Sequence, residues 1–241
     1  MVIYGINPVL EALRARRVTA LRVSSRADQR VGAAVRLAEE HGVPVRRVQP
    51  AELDRMARGA AHQGIVADVD AAAVTSIEDL VLQAKAAPLI VVLDGVEDPQ
   101  NVGAILRTVD AVGADGLVRQ SRRAAPLGGA AAKASAGAVA HVKIAEVVNI
   151  ARALEMLKEA GVWTIGLAGD AAKPYYDIDF TLPSALVLGS EGVGLRRLVR
   201  ERCDWLVSIP MHGHVQSVNV SVAAGVALFE AIRQRGLPRV Q

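Results

Sequence analysis

The run Leu89-Ile-Val-Val-Leu93 is five apolar residues without interruption, closed by Asp94 and Gly95. Strands buried on both faces read this way, because helices cover each side of a parallel sheet. A polar stretch, Asp94-Gly-Val-Glu-Asp-Pro-Gln-Asn101, follows, and then Val102, Ile105, Leu106, Val109 and Val112 recur at helical spacing. Strand, polar loop and amphipathic helix in that order open an α/β unit, in which ligands lie outside the carboxyl ends of the strands. Arg107 sits about 100° from Leu106 on this helix, at the edge of the buried stripe. From there it can lean back toward the loop.

The same alternation continues to the end of the chain. Strands are predicted near 116–118, 162–167, 185–188 and 205–209, and helices near 149–160 and 194–203. Six or so such parallel elements would make a full catalytic-sized domain, over 89–241. The stretch 208–235 begins as a strand, passes through a loop holding Gln216, Ser217 and Asn219, and continues as a helix of small residues. Ser217 and Asn219 can serve as helix caps alone, since such side chains satisfy unpaired backbone N–H groups. They can also face a ligand.

Ahead of this domain, Asn7-Pro8 reads as a helix start, cap residue followed by proline. Strands near 20–24, 43–48 and 64–69 alternate with helices near 29–41 and 50–56. The predicted order is α, β, α, β, α, β, a small, mostly parallel sheet over 1–70. Ala, Val and Asp then dominate 70–75 and a connecting helix fits 76–85, so 71–88 reads as a linker.

At 241 residues and 51% hydrophobic, the chain can bury two real cores. No apolar stretch reaches the roughly 18 residues of a membrane span, and the first residues lack the pattern of a signal peptide. These features predict a soluble, cytoplasmic protein. The single cysteine, Cys203, excludes an internal disulfide and reads as a buried, inert thiol. Up to residue 68 there are eleven Arg, no Lys and seven acids, whereas the remainder carries a net −1. Arginine gives phosphate planar, bidentate contacts, so this surplus fits a nucleic-acid partner as well as a merely solvated surface.

Three Gly-bearing polar loops follow three apolar strands: 94–101, Gly189-Ser-Glu-Gly-Val-Gly194, and 209–219. The glycines let backbone approach a ligand closely. Their spacing differs from the dinucleotide fingerprint, and neither a phosphate-loop motif nor a nucleophile elbow occurs. His212 and His214 have no third ligand at suitable spacing, so no metal is expected. Glu191 can accept backbone N–H bonds at the start of the helix expected from residue 194, or act in catalysis.

Asp94-Gly-Val-Glu-Asp-Pro-Gln-Asn-Val-Gly-Ala-Ile-Leu-Arg107-Thr, Leu188-Gly-Ser-Glu-Gly-Val-Gly194, and Ile209-Pro-Met with Ser217-Val-Asn-Val-Ser-Val-Ala223 resemble, in order and separation, the three motifs of the SpoU (TrmH) family of RNA ribose 2′-O-methyltransferases, of the SPOUT class. Tyr4-Gly-Ile-Asn-Pro, His62-Gln-Gly64 and Ser135-Ala-Gly-Ala138 resemble the branch that methylates a guanosine of large-subunit (23S) ribosomal RNA. Nearly the whole chain is covered. Val218 stands where the family usually has Leu, and 119–129 matches only loosely.

The resemblance implies an N-terminal domain similar to ribosomal protein L30e that binds the RNA substrate. It implies a C-terminal mostly parallel α/β domain with a trefoil knot, a homodimer, and S-adenosylmethionine as cofactor. Carried over residue by residue, Gly189, Ser190, Ile209, Met211, Ser217 and Val218 line the cofactor site. Arg107 stands beside the ribose hydroxyl, Asn101 and Glu191 arrange the site, and Ser217 and Asn219 help hold substrate and cofactor. Guanidinium groups are essentially always protonated, so Arg107 acts either as a base assisted by an RNA phosphate or as a fixed cation that orients it. Arg122 and Arg123 can touch RNA phosphate or face solvent. The alternatives are a transfer-RNA ribose methyltransferase and a non-catalytic RNA-binding factor of ribosome assembly.

Overall fold

A computed structural model describes residues 1–25, 29–70, 75–122 and 124–236. They pack as two compact units. One holds the described residues of Met1–Ala73 with Val102–Arg107 and Pro126–His141, and the other holds the remainder.

The first unit contains β1 (Val2–Tyr4), α1 (Ile6–Arg14), β2 (Val18–Ser24), α2 (Gln29–Glu40), β3 (Val45–Val48), α3 (Pro50–Met56) and β4 (Ile65–Val69). Its sheet order is β1-β4-β2-β3, with β4 antiparallel to both neighbours and only β2 and β3 parallel. The expected mostly parallel sheet without a leading strand is therefore corrected. Alternation gives element order and leaves direction open. β4 starts beside the far end of β2, where Gly64 accepts from the Ser24 N–H at 2.8 Å.

The start of α1 also differs from the expectation. The helix begins at Ile6, and its cap is Gly5 at φ 94°. Gly5 has no side chain to offer, and Gln63 Oε1 accepts the Ile6 N–H at 2.9 Å instead. His62 Nδ1 in turn accepts from the Gly64 N–H at 3.0 Å. Tyr4–Pro8 and His62–Gly64, distant in sequence, thus hold one another.

The remaining elements are α4 (Ile77–Leu82), β5 (Leu89–Asp94), α5 (Pro99–Val112), β6 (Gly116–Gln120), α6 (Gly129–Ala134), β7 (Ile144–Val147), α7 (Ile150–Glu159), β8 (Trp163–Leu167), β9 (Lys173–Pro174), β10 (Ser184–Gly189), α8 (Arg197–Arg202), β11 (Trp205–Ser208) and α9 (Val220–Arg235). In the second unit seven strands pair in parallel in the order β7-β6-β5-β10-β8-β11-β9. All six residues of β5 are buried, as its apolar run requires. On one face Ile90, Val92, Val118 and Val187 pack against Leu80 of α4, Leu154 and Leu157 of α7 and Val199 of α8. Ser76 starts α4 with a reciprocal capping box to Asp79.

Residues 126–141 pack within the first unit. The Arg17 guanidinium donates to the carbonyls of Val139, Ala140 and Asp70. Gly137, at φ 100°, leaves no room for a side chain: a Cβ there would lie 2.5 Å from that of Glu11. The Ser135 hydroxyl donates to Ala132 O at 2.9 Å. Close packing on α1 accounts locally for Ser135-Ala-Gly-Ala138.

Candidate active site

The site is built at the carboxyl ends of β5, β10, β8 and β11. Asp98 caps α5 by accepting the Gln100 N–H, with Pro99 in the first helical position, which sets Asn101 in the first turn. Beyond β10 the chain closes into a ring. Ser190 N–H donates to Gly194 O at 3.2 Å and Gly194 N–H to Ser190 O at 2.8 Å. Gly189 cannot carry a side chain, because a Cβ would stand 2.1 Å from the carbonyl carbon of Gly194. Gly194, at φ 73°, turns the chain out of helical geometry. The helix expected from residue 194 therefore starts only at Arg197.

Asp94 fixes the far end of this ring. Fully buried, its carboxylate accepts from the Arg196 N–H at 2.8 Å and from Arg196 Nε at 2.6 Å, with Nη2 also bound. In the sequence Asp94 is marked only as an acid that closes the apolar run Leu89–Leu93.

Asn219 is the N-cap of α9, its Oδ1 accepting from the Ser221 N–H at 2.8 Å and from the Ser221 hydroxyl at 2.6 Å. Its Nδ2 donates to Asn101 Oδ1 at 2.9 Å and to Glu191 Oε1 at 2.5 Å. An amide has two donors and two acceptor lone pairs, and all four are engaged. The amide of Asn219 thus ties Asn101 to Glu191 at the start of α9. Glu191 caps no helix here; its Oε1 takes the side-chain amide of Asn219.

Gly189, Ser190, Ile209, Met211, Ser217 and Val218 all line one cleft of about 410 Å³, together with Glu191. That volume lies within the range of roughly 300–1,000 Å³ typical of small-molecule sites. Leu188, Leu195 and Val220 add apolar wall. Besides Glu191, the charged lining side chains are Asp170 and Arg200, joined by two bonds of 2.8 and 2.9 Å. Hydrogen bonding from Arg200 holds the Asp170 carboxyl below its ordinary pKa. Arg107 is exposed on α5 and does not line the cleft.

His212 and His214 are exposed, and the described residues contain no metal-holding cluster of His, Cys, Asp or Glu. Burial pushes the Cys203 thiol up to about 12, which keeps it protonated and unreactive near neutral pH. Arg122 is exposed; Arg123 lies outside the described residues. No helix among the described residues is long and apolar enough to cross a membrane.

Residues 88–229 match the model of the SpoU rRNA Methylase family, and residues 2–74 match that of the RNA 2′-O ribose methyltransferase substrate-binding domain. The 23S rRNA (guanosine-2′-O-)-methyltransferase RlmB of Pseudomonas putida is 42% identical over 243 residues, covering 98% of each chain. A putative TrmH family tRNA/rRNA methyltransferase, YacO of Bacillus subtilis, is 41% identical over 97% of this chain and 95% of its own. Among solved structures, the SpoU methyltransferase AviRb from Streptomyces viridochromogenes, in complex with AdoMet, superposes with a TM-score of 0.84. It is 27% identical, over 99% of this chain and 91% of that one.

Proposed function

Since this chain belongs to the SpoU rRNA methylase family, we propose that it transfers a methyl group from S-adenosylmethionine to the ribose 2′-hydroxyl of a guanosine in 23S ribosomal RNA. The observation that carries this reading is that the loops 189–194 and 209–219 line one cleft, while Asn101 of the third motif joins it through the Asn101–Asn219–Glu191 hub.

The cleft suits the cofactor chemically. Ile209, Met211 and Val218 offer apolar wall, the Gly189–Ser190 backbone allows close approach, and Glu191 places a carboxylate toward a cationic centre. When bound, S-adenosylmethionine supplies an electrophilic methyl carbon on a sulfonium. A ribose hydroxyl is a weak nucleophile and must be held in line and relieved of its proton. Glu191 and Asn101, fixed by Asn219, arrange the site, and Ser217 holds ligand. Arg107 stands beside the ribose hydroxyl, either as a base assisted by the neighbouring RNA phosphate, which takes the proton, or as a fixed cation that orients that phosphate.

Labelled S-adenosylmethionine with unmodified 23S RNA, followed by mapping of ribose methylation, tests this reading. Absence of transfer to that RNA overturns it, and transfer to transfer RNA instead favours the second reading that the Bacillus relative's description raises. Arg107→Ala is expected to lower transfer by about 100-fold or more with unchanged binding of S-adenosylhomocysteine. Weakened binding would move Arg107 to the cofactor side.

Residues 1–70 form the RNA-substrate-binding domain, similar to L30e, with 71–88 as linker and 89–241 as the methyltransferase domain. The arginine surplus before residue 68 supports the first assignment. The C-terminal end forms a trefoil knot; the insertion of β10 between β5 and β8, although it follows β8 in the chain, supports this. The enzyme is a cytoplasmic homodimer. Val222 and Phe229, 51% and 57% exposed on an α9 whose opposite face is buried, support a second copy packing there. Light scattering of Phe229→Glu reads the dimer directly.

A further inference from the structure

We propose that Asp170, held by Arg200, accepts hydrogen bonds from the two ribose hydroxyls of S-adenosylmethionine. The inference rests on the cofactor reading above and assigns one end of the cleft. Asp170 follows the carboxyl end of β8, Arg200 lies on α8, and both line the cleft. Their side chains are 71% and 38% exposed. An exposed ion pair contributes little to folding, so stability gives little reason for a two-bond fork at the mouth of this cleft.

The cleft has a direction. Asn101 is carried by the helix after β5, and Glu191 by the loop after β10. Asp170 lies after β8, two strand spacings from β5, roughly 10 Å. The reacting methyl belongs at the Asn101–Glu191 end, so a part of the cofactor away from the sulfonium meets Asp170.

The choice of the ribose follows from what the pair can still bond. Each Asp170 oxygen accepts one bond from Arg200 and keeps at least one lone pair. Two adjacent acceptors on one carboxylate match two vicinal hydroxyl donors, the arrangement by which acidic side chains hold nucleotide riboses. The charge of Asp170 is already offset by Arg200. A neutral diol fits such a site better than the ammonium of the amino-acid arm, which would compete with the guanidinium.

Calorimetric titration separates the arms, with S-adenosylhomocysteine, its 2′-deoxy and 3′-deoxy forms, and 5′-methylthioadenosine, which lacks the amino-acid arm. The natural chain is expected to lose about tenfold or more in affinity for each deoxy form, the cost of a bond to a charged group. Asp170→Ala, which loses both bonds, is expected to bind S-adenosylhomocysteine and methylthioadenosine more weakly by at least that factor, and to discriminate the deoxy forms no longer. Arg200→Lys, which keeps the charge but loses the fork, should retain the melting temperature and lose part of the discrimination. Full discrimination in Asp170→Ala overturns the proposal, as does a loss confined to S-adenosylhomocysteine with methylthioadenosine unaffected. Failure of the natural chain to bind S-adenosylhomocysteine at all would overturn the cofactor reading itself.

Discussion

At its N-terminal end α9 presents Asn219, whose amide nitrogen reaches two side chains, Asn101 and Glu191, on separate elements beside a cleft. At the other end, Arg235 donates to the carbonyls of Phe180, Ala87, Pro88 and Leu182. Gln234 similarly accepts the Phe180 N–H and donates to Ile178 O. Both ends are dense in hydrogen bonds, but their partners differ in kind. Backbone carbonyls move only with their strands and loops, so the C-terminal end anchors the helix to the scaffold. Side chains rotate, so the N-terminal bonds set the aim of Asn101 and Glu191 beside the cleft. The two ends should therefore fail differently when broken.

The largest effect is expected at Asn219. Asn219→Ala frees both Glu191 and Asn101, and displacement of site groups by about an ångström costs on the order of 100-fold in rate. It also removes the cap, worth about 1 kcal/mol. Asn219→Asp separates the two roles, because Asp caps a helix as well as Asn does but has no N–H to offer and sets a second carboxylate against Glu191. The melting temperature should return while methyl transfer stays low. Recovery of transfer in Asn219→Asp would remove the hub from the mechanism.

Arg235→Ala should invert that pattern. Burial lowers the Arg235 pKa, yet the group remains a cation bonded to four carbonyls. Losing those bonds should cost about 3 kcal/mol, which in a chain of this size lowers the melting temperature by roughly 6–12 °C. Titration at a temperature where the variant is folded should give unchanged affinity for S-adenosylhomocysteine. Weaker binding there would mean that the two ends of α9 are coupled and that the comparison is too sharp.

The two ends also differ in how far the sequence discloses them. Asn219 is legible as a cap because the cap needs only Ser221, two residues on. Its partners Asn101 and Glu191 lie 118 and 28 residues away, and no local pattern joins them; the family motifs flag all three without the bonds between them. Arg235 looks like any basic residue in a last helical turn. β5 and β10 are legible because strands at the middle of a parallel sheet must be apolar throughout. β7 and α6 escape notice for the opposite reason: Ile-Ala-Glu-Val is too short to show a period, and Gly-Ala-Ala-Ala-Lys-Ala has none. The direction of β4 is not written in Ile65–Val69, whose largely apolar run fits a parallel or an antiparallel neighbour alike.

The smallest expected effect lies one turn before the C-terminal anchor and tests where that anchor ends. Arg233 bonds Glu230 through Nε and Nη2, and Gln234 Nε2 reaches the same carboxylate at 2.8 Å. Hydrogen bonding from Arg233 holds the Glu230 carboxyl well below its ordinary range, at about 2. A carboxylate whose pKa is depressed by folding stabilises the folded chain fully above its unfolded pKa, near 4.3 for Glu. That contribution fades as pH falls toward 2. Arg233 is 72% exposed, however, although Glu230 is only 10% exposed. Solvent screens such a pair, and its worth stays under about 1 kcal/mol. Melting temperatures of the natural chain and of Glu230→Gln should then differ by roughly 4 °C at most at pH 6, and converge between pH 4 and pH 2. A larger gap would mean that Glu230, through Gln234 and its bonds to Ile178 and Phe180, is part of the anchor itself.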